Sequence, residues 1–198
     1  MKTSLLFSSF PFITGEKVTL SRMTELDLRA LWEIMGDDEN YRFAPTAALR
    51  SFSECAPKLR QAEALFREKK AVVLGIYGNE GNHQLVGVFE IFDIDPQVET
   101  ATIRFTLSRR FLGKGYASGA VREVTEYLME KVELHRIQAY VLPINYRGIL
   151  VLERCGFQKE GTIREGFYWP DKGIVDVSLY SLLPSDLRPK KEGQSFYL

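Results

Sequence analysis

The sequence predicts an α/β chain of the α+β kind, with a mixed, mostly antiparallel central sheet flanked by helices. Three observations carry this. Apolar and polar residues alternate through three successive runs, 71–77, 84–95 and 99–108. The period changes to that of a helix after Gly115, and strand and helix patterns alternate on either side of these runs.

Taken in order, 17–21 sets Val18 and Leu20 between polar neighbours, a short strand. Thr24 has the chemistry of an N-cap, and Leu28, Leu31, Trp32 and Met35 follow it at helical spacing. A second helix is expected over 53–69, where Leu59, Ala62, Leu65 and Phe66 line one stripe. The three period-two runs come next, separated by Gly78-Asn79-Glu80-Gly81-Asn82 and Asp95-Pro96-Gln97, and read as an antiparallel meander. In the following helix Ala117, Val121, Val124, Leu128 and Val132 share a face, with Glu123, Glu126 and Glu130 turned away. Ile137, Ala139 and Val141 alternate in a strand that Pro143 stops. Asn145 then caps a short helix closed by Gly156, and two late strands lie near 157–167 and 173–183.

Composition narrows the function classes. With 198 residues, 45% hydrophobic and 26% charged, the chain has the balance of a folding globular protein, and no repeat or linker divides it. Residues 1–183 are expected to form a single unit, and 184–198, with two prolines and Lys190-Lys191, a tail pinned by Phe196, Tyr197 and Leu198 or left on the surface. Lys and Arg number 26, as do Asp and Glu, so the basic excess of a nucleic-acid or anionic-lipid binder is missing and any phosphate site is local. Cys55 and Cys155 stand far apart and outside any CxxC, which implies neither a metal site nor a disulfide framework and fits a reducing compartment. The apolar start, with Leu5, Leu6, Phe7, Phe10, Phe12 and Ile13, imitates a signal peptide without its long apolar centre or cleavage site, and no window approaches the ~20 apolar residues of a membrane span. The expectation is a cytoplasmic protein without a membrane segment.

The most informative segment is Leu107-Ser108-Arg109-Arg110-Phe111-Leu112-Gly113-Lys114-Gly115-Tyr116-Ala117, which leaves a strand, turns through two glycines and enters the long helix. Glycines let the backbone take positive φ and approach a ligand. The first N–H groups of a helix have no internal partner and sit at the positive end of its dipole, so a pyrophosphate fits there. Arg109, Arg110 and Lys114 add positive charge on a neutral protein. A turn with a helix cap is the plainer alternative. The spacing supplies neither a P-loop nor a dinucleotide fingerprint.

Arg110-x-x-Gly113-x-Gly115-Tyr116-Ala117 resembles the acyl-CoA pyrophosphate loop of the GNAT acetyltransferase superfamily, Gln/Arg-x-x-Gly-x-Gly/Ala. Glu133-Leu134-His135-Arg136-Ile137, Asn145, Val151 to Phe157 and Glu160-Gly161 are similar to its ribosomal-protein alanine N-acetyltransferase branch. So are Val18 to Thr24 with Asp27 at the start and Asp176 to Leu183 at the end, so the resemblance covers about 14–183 in one register. It implies a sheet with a splayed strand pair and acetyl-CoA lying in the opening. A primary amine, either a ribosomal or other protein N-terminus or a small molecule, would attack the thioester directly, and no metal is involved. On this resemblance Arg110, Phe111, Leu112, Gly113, Lys114, Gly115, Tyr116 and Ala117 hold the pyrophosphate. Leu107 backbone groups pair with pantetheine like an added strand, and Asn145 faces the same arm, although an N-cap role explains Asn145 as well.

The chain also departs from that pattern. Where the branch commonly has Ala-Glu-Ile-Gly, this sequence reads Ala101-Thr102-Ile103-Arg104, so a glutamate often proposed as base is Thr102. The Asn-x-x-Ser pattern ends in Gly148, and the tyrosine acid of many members falls on Leu152. Glu90 is the candidate base that remains, because Val86, Val88, Phe92 and Ile94 are expected on its strand face and would desolvate it. Pairing with Arg104 on the neighbouring strand is the competing reading. Glu99 is a weaker candidate. Cys155 is expected buried rather than nucleophilic, His83 exposed, and His135 hydrogen-bonding to backbone rather than transferring protons. The tip Tyr168-Trp169-Pro170 either covers the acceptor or packs into the tail, and Asp176 either shapes the acceptor site or orders its strand. Beside the transferase reading stand a non-catalytic acyl-CoA-binding or sensor domain, for which the three substitutions speak, and a protein-interaction module. Acceptor identity and oligomeric state are not encoded in any motif.

Overall fold

The alternating runs assemble into one eight-stranded sheet in the computed structural model, which describes residues 2–170 and 172–187. The strands are β1 (Ile13–Thr14), β2 (Val18–Ser21), β3 (Val72–Gly78), β4 (Leu85–Asp95), β5 (Thr100–Leu107), β6 (Arg136–Val141), β7 (Gln158–Trp169) and β8 (Gly173–Leu182). They lie in the order β1-β2-β3-β4-β5-β6-β8-β7, and all neighbours run antiparallel except β5 and β6. The helices are α1 (Thr3–Leu6), α2 (Leu28–Met35), α3 (Asp38–Tyr41), α4 (Cys55–Arg67), α5 (Tyr116–Glu130), α6 (Tyr146–Arg154) and α7 (Pro184–Leu187). Every element expected from pattern is present. The short pieces β1, α1, α3 and α7 were not expected, because two to four residues carry no period.

Strand alternation sorts the core into two layers. Val72, Leu74 and Ile76 of β3 join Phe89 and Ile91 of β4 and the apolar stripe of α5, Ala120, Val121, Val124 and Leu128, on one face. Tyr77, Leu85 and Val88 join Leu31 and Ile34 of α2 and Leu59 of α4 on the other. Burying each large apolar side chain contributes roughly 1.5–3 kcal/mol, so the two layers hold both sets of helices to the sheet. The first turn of the α2 region is fixed by a capping box in which the Asp27 carboxylate accepts from the Thr24 N–H at 2.7 Å and the buried Tyr77 hydroxyl at 2.9 Å.

The apolar start gains a role, and one expectation changes. The signal-like start is core material: Leu6 and Ile13 are buried, and Phe10 stacks on Phe66 of α4 at 3.9 Å between ring centroids. Neither Val86 nor Ile94 shares the face of Glu90: beyond a shift of register between Phe92 and Asp95, Ile94 packs against the core cluster that contains Phe89, Ile91 and the α5 stripe. The pairs Ile76↔Gly87 and Tyr77↔Leu85 leave one extra residue in β4, and this bulge sends Val86 to the α5 layer with Phe89 and Ile91. At the C-terminal end, Asp186 of α7 accepts from the Leu183 N–H and the Gln158 side chain at 2.8 and 2.6 Å. Residues 188–198, including Phe196, Tyr197 and Leu198 of the expected tail, lie outside the described residues.

The far half of the sheet is tied by a polar cluster. Arg136 of β6 donates two hydrogen bonds to Glu160 of β7 at 2.6 and 2.7 Å, and Ser181 of β8 donates a third at 2.6 Å. The guanidinium, then the serine hydroxyl, hold the Glu160 carboxyl down at about 2. A carboxyl with a lowered folded-state pKa adds stability that is present above its ordinary value near 4.5 and is lost as pH falls toward 2. Denaturant unfolding between those pH values is therefore expected to show a shallower pH slope for Glu160→Gln than for the parent. Equal slopes would remove this cluster from the acid response.

Candidate active site

After Leu107 the chain makes one more ladder bond, Ser108 N–H to Val86 carbonyl at 2.9 Å, and then a single 3-10 turn over Arg109–Phe111. Gly113 and Gly115 take φ of +79° and +84°, the left-handed region that a side chain disfavours. A Cβ at Gly113 would meet nothing within 4 Å, so the turn faces open space. The first bond of α5 runs from Gly119 to Gly115, and no acceptor among the described residues takes the N–H groups of 113–118. Those donors form a cradle at the positive end of a 15-residue helix. Tyr116 anchors it, buried and edge-on to Phe111.

The charges around the cradle differ from expectation. Arg110 pairs with Glu33 at 2.8 Å and Arg109 with Asp37 at 3.2 Å, while the Arg109 N–H donates to Asn40 Oδ1 at 2.8 Å. The arginines therefore fasten α2 and α3 to the turn. Lys114 stays at the rim over the Phe111 ring. A second lysine, invisible to local reading, arrives from the start of β2: Lys17 Nζ lies 3.5 Å from the position a Cβ on Gly115 would take. Only the sheet brings residues 17 and 115 together.

Beside the cradle, β5 and β6 part. They pair in parallel over Thr100↔Arg136, Ala101↔Ile137 and Thr102↔Gln138 only, while β5 stays on β4 to Leu107 and β6 stays on β8 to Val141. The facing edges beyond Thr102 and Gln138 thus present backbone groups unpaired in the sheet to an opening, the geometry that strand addition requires. Gln138 Nε2 donates to Thr102 Oγ1 at 3.2 Å at the apex. Thr102, 1% exposed, is a fastener at the apex. Glu99 is structural through its carbonyl, which accepts from the N–H groups of His135 and Arg136 at 2.9 and 3.2 Å. Asn145 caps α6, its Oδ1 accepting from the Gly148 N–H at 3.1 Å. A Cβ on residue 148 would come within 2.6 Å of Asn145 Nδ2, so glycine there makes room for the cap. Leu152 is 2% exposed and belongs to the core.

Glu90 and Arg104 face each other across β4 and β5, and Arg104 grips the carboxylate with Nε, at 3.1 Å, and Nη2. The pair is half-buried, with 28% and 29% of the side chains exposed, and the guanidinium lies 4.9 Å from the Phe92 ring centroid. Glu90 is thus not the solitary desolvated carboxylate that the strand pattern suggested, and both of its oxygens already accept a hydrogen bond. The pair borders a cavity of about 250 Å³ between α2, α4 and the sheet, with Met35, Leu59, Ala62 and Val73 among its apolar walls. Tyr41 of α3 also lines it. Burial first, then the Glu90 carboxylate, pushes the Tyr41 phenol above its ordinary range, so it is a neutral hydroxyl.

The remaining candidates are structural. Cys155 is buried, burial raises its thiol, and its Sγ lies 3.5 Å from the Ser118 carbonyl. His83 is exposed and stacked on Tyr77, and His135 bonds through its backbone. Trp169 is buried against Leu142 and Val177 with Phe43 packed alongside, while Tyr168 is exposed. Asp176 accepts from the Glu165 N–H at 2.7 Å and so orders the β7–β8 hairpin. Among the described residues no cluster of three or more His, Cys, Asp or Glu is placed to share a metal ion, and no helix is long and apolar enough to cross a membrane.

Residues 17–158 match the acetyltransferase (GNAT) domain family. Over 169 residues the chain is 31% identical to the uncharacterized N-acetyltransferase p20 of Bacillus licheniformis, covering 85% of this chain and 93% of that one. It is 20% identical to the ribosomal protein uS5 alanine N-acetyltransferase of Escherichia coli over 77% and 81% of the two chains. Its fold superposes on Mycobacterium smegmatis RimJ in complex with CoA-disulfide with a TM-score of 0.78 at 21% identity, covering 91% and 88%.

If the 113–118 donors hold a diphosphate, Gly115→Ala strains the turn by roughly 1–2 kcal/mol and moves the donors. Calorimetric titration with CoA is expected to give at least tenfold weaker binding, about 1.4 kcal/mol. Unchanged affinity would move the diphosphate elsewhere.

Proposed function

The chain belongs to the GNAT acetyltransferase family, a family of N-acetyltransferases, and on that premise we propose that it transfers an acetyl group from acetyl-CoA to a primary amine by direct attack on the thioester. The observation that carries this reading is the row of unpartnered N–H groups at 113–118 beside the parting strands. Acetyl-CoA supplies the activated acyl group. In this proposal its diphosphate lies on the backbone of Arg110 to Ala117, with Lys114 and Lys17 as the nearby cations. Its pantetheine arm adds to the free edge of β5 up to Leu107, and Asn145 borders the same opening. The catalytic unit is taken as residues 1–183.

Transfer from an ammonium takes two protons off the nitrogen, the first to make it a nucleophile and the second as the C–N bond forms and the C–S bond breaks, and the released thiolate gains one. We assign the first step to Glu90, whose oxygens each keep a lone pair beyond the Arg104 bonds. What supports this assignment is that Glu90 is the carboxylate lining the cavity between α2, α4 and the sheet. A protein N-terminus is favoured as acceptor by likeness to the uS5 alanine enzyme.

Acetyl-CoA-dependent thiol release is expected with at least one member of a panel of N-terminal peptides, polyamines and amino sugars. A thermal shift with CoA but no release with any of them would favour a binding module. With Glu90→Gln, turnover is expected to fall by ~10²-fold or more and the rise of rate with pH to flatten. Parent-like kinetics would dismiss Glu90 as base.

A further inference from the structure

We infer, on the basis of the acetyltransferase reading above, that the cavity between α2, α4 and the sheet receives the side chain of the acceptor. The acceptor is then an α-amino compound with a large apolar side chain, its amino group on Glu90 and its neighbouring carboxylate or carbonyl on Arg104. The cavity measures about 250 Å³ and its walls are mainly aliphatic, whereas an apolar cavity of ~150 Å³ already holds benzene. A leucine- or methionine-sized group therefore fits, and a glycine or alanine acceptor would leave the walls without contacts.

The polar atoms sit at one end. Each Glu90 oxygen takes one bond from Arg104 and has a lone pair left for an ammonium. Arg104 Nη1 and the Tyr41 hydroxyl have no hydrogen-bond partner among the described residues, so both are open donors at the boundary of the cavity. Acid and base side by side match the two charges of an α-amino acid or the amine and carbonyl of an N-terminal residue. The same inventory argues against a polyamine. Glu90 is the single acidic residue lining the cavity, against Arg104 and Lys58, and a polycation would meet net positive charge.

The test compares kcat/KM for leucine, a leucyl peptide, a glycyl peptide, 3-methylbutylamine and spermidine. A leucyl acceptor is expected to exceed both the glycyl peptide and 3-methylbutylamine by tenfold or more, and leucine against leucyl peptide tells a free amino acid from a chain terminus. Ala62→Phe fills the cavity and is expected to collapse the leucyl-to-glycyl ratio toward one while the thermal shift with CoA persists. If Ala62→Phe loses that shift, Ala47→Leu, on an exposed wall position, is read in its place. Arg104→Ala is expected to erase the preference for leucine over 3-methylbutylamine. Spermidine as best acceptor, or a leucyl-to-glycyl ratio unmoved by the filled cavity, overturns the assignment and leaves the transferase reading standing. No thiol release with any acceptor sinks both.

Discussion

The site depends on one failure of pairing. β5 and β6 hold hands over three residues and then separate, each kept straight by its outer neighbour, β4 on one side and β8 on the other. Backbone groups along the parted edges have no partner in the sheet, a state that costs free energy unless water or a ligand fills it. The same divergence aims the end of β5 at a turn whose helix leaves its first donors unused. The proposed ligand, an extended arm with an anionic head, would thus be met chiefly by backbone, which suits a chain with no net charge.

Side chains around that backbone frame have more than one duty. Arg109 and Arg110, in the loop that resembles a pyrophosphate motif, are paired with Asp37 and Glu33, and Asn40 holds the Arg109 N–H. These contacts link the cradle to α3, and α3 carries Tyr41 into the wall of the apolar cavity on the opposite side. The ion pairs are exposed, so each adds little stability by itself. Their effect is positional, because they set where α3 lies relative to both ends of the site.

The positions at which the family resemblance implied acids and bases serve packing here. Thr102 and Gln138 stitch the apex of the opening, Leu152 fills the core under α6, and Gly148 gives Asn145 space to cap that helix. Each substitution has a local structural reason, so their presence does not argue for a lost activity. In the proposed reaction the Glu90–Arg104 pair at the rim of the cavity takes the place of those acids and bases.

The sequence alone determined the order of the strands and helices, the glycine turn before the long helix, the cap at Asn145 and the family, because all of these rest on short-range periodicity or on contiguous motifs. It also offered both readings of Glu90, and the pairing with Arg104 was legible once two strands were laid side by side. Four things required the tertiary structure: the bulge that turns Val86 away from Glu90, the arrival of Lys17 beside Gly115, the capture of Arg109 and Arg110 by α2 and α3, and the cavity bordered by Tyr41. Each joins residues far apart in the chain through the register of a sheet or the docking of a four-residue helix. Register and docking are settled by the sum of many packing contacts, which no local pattern records.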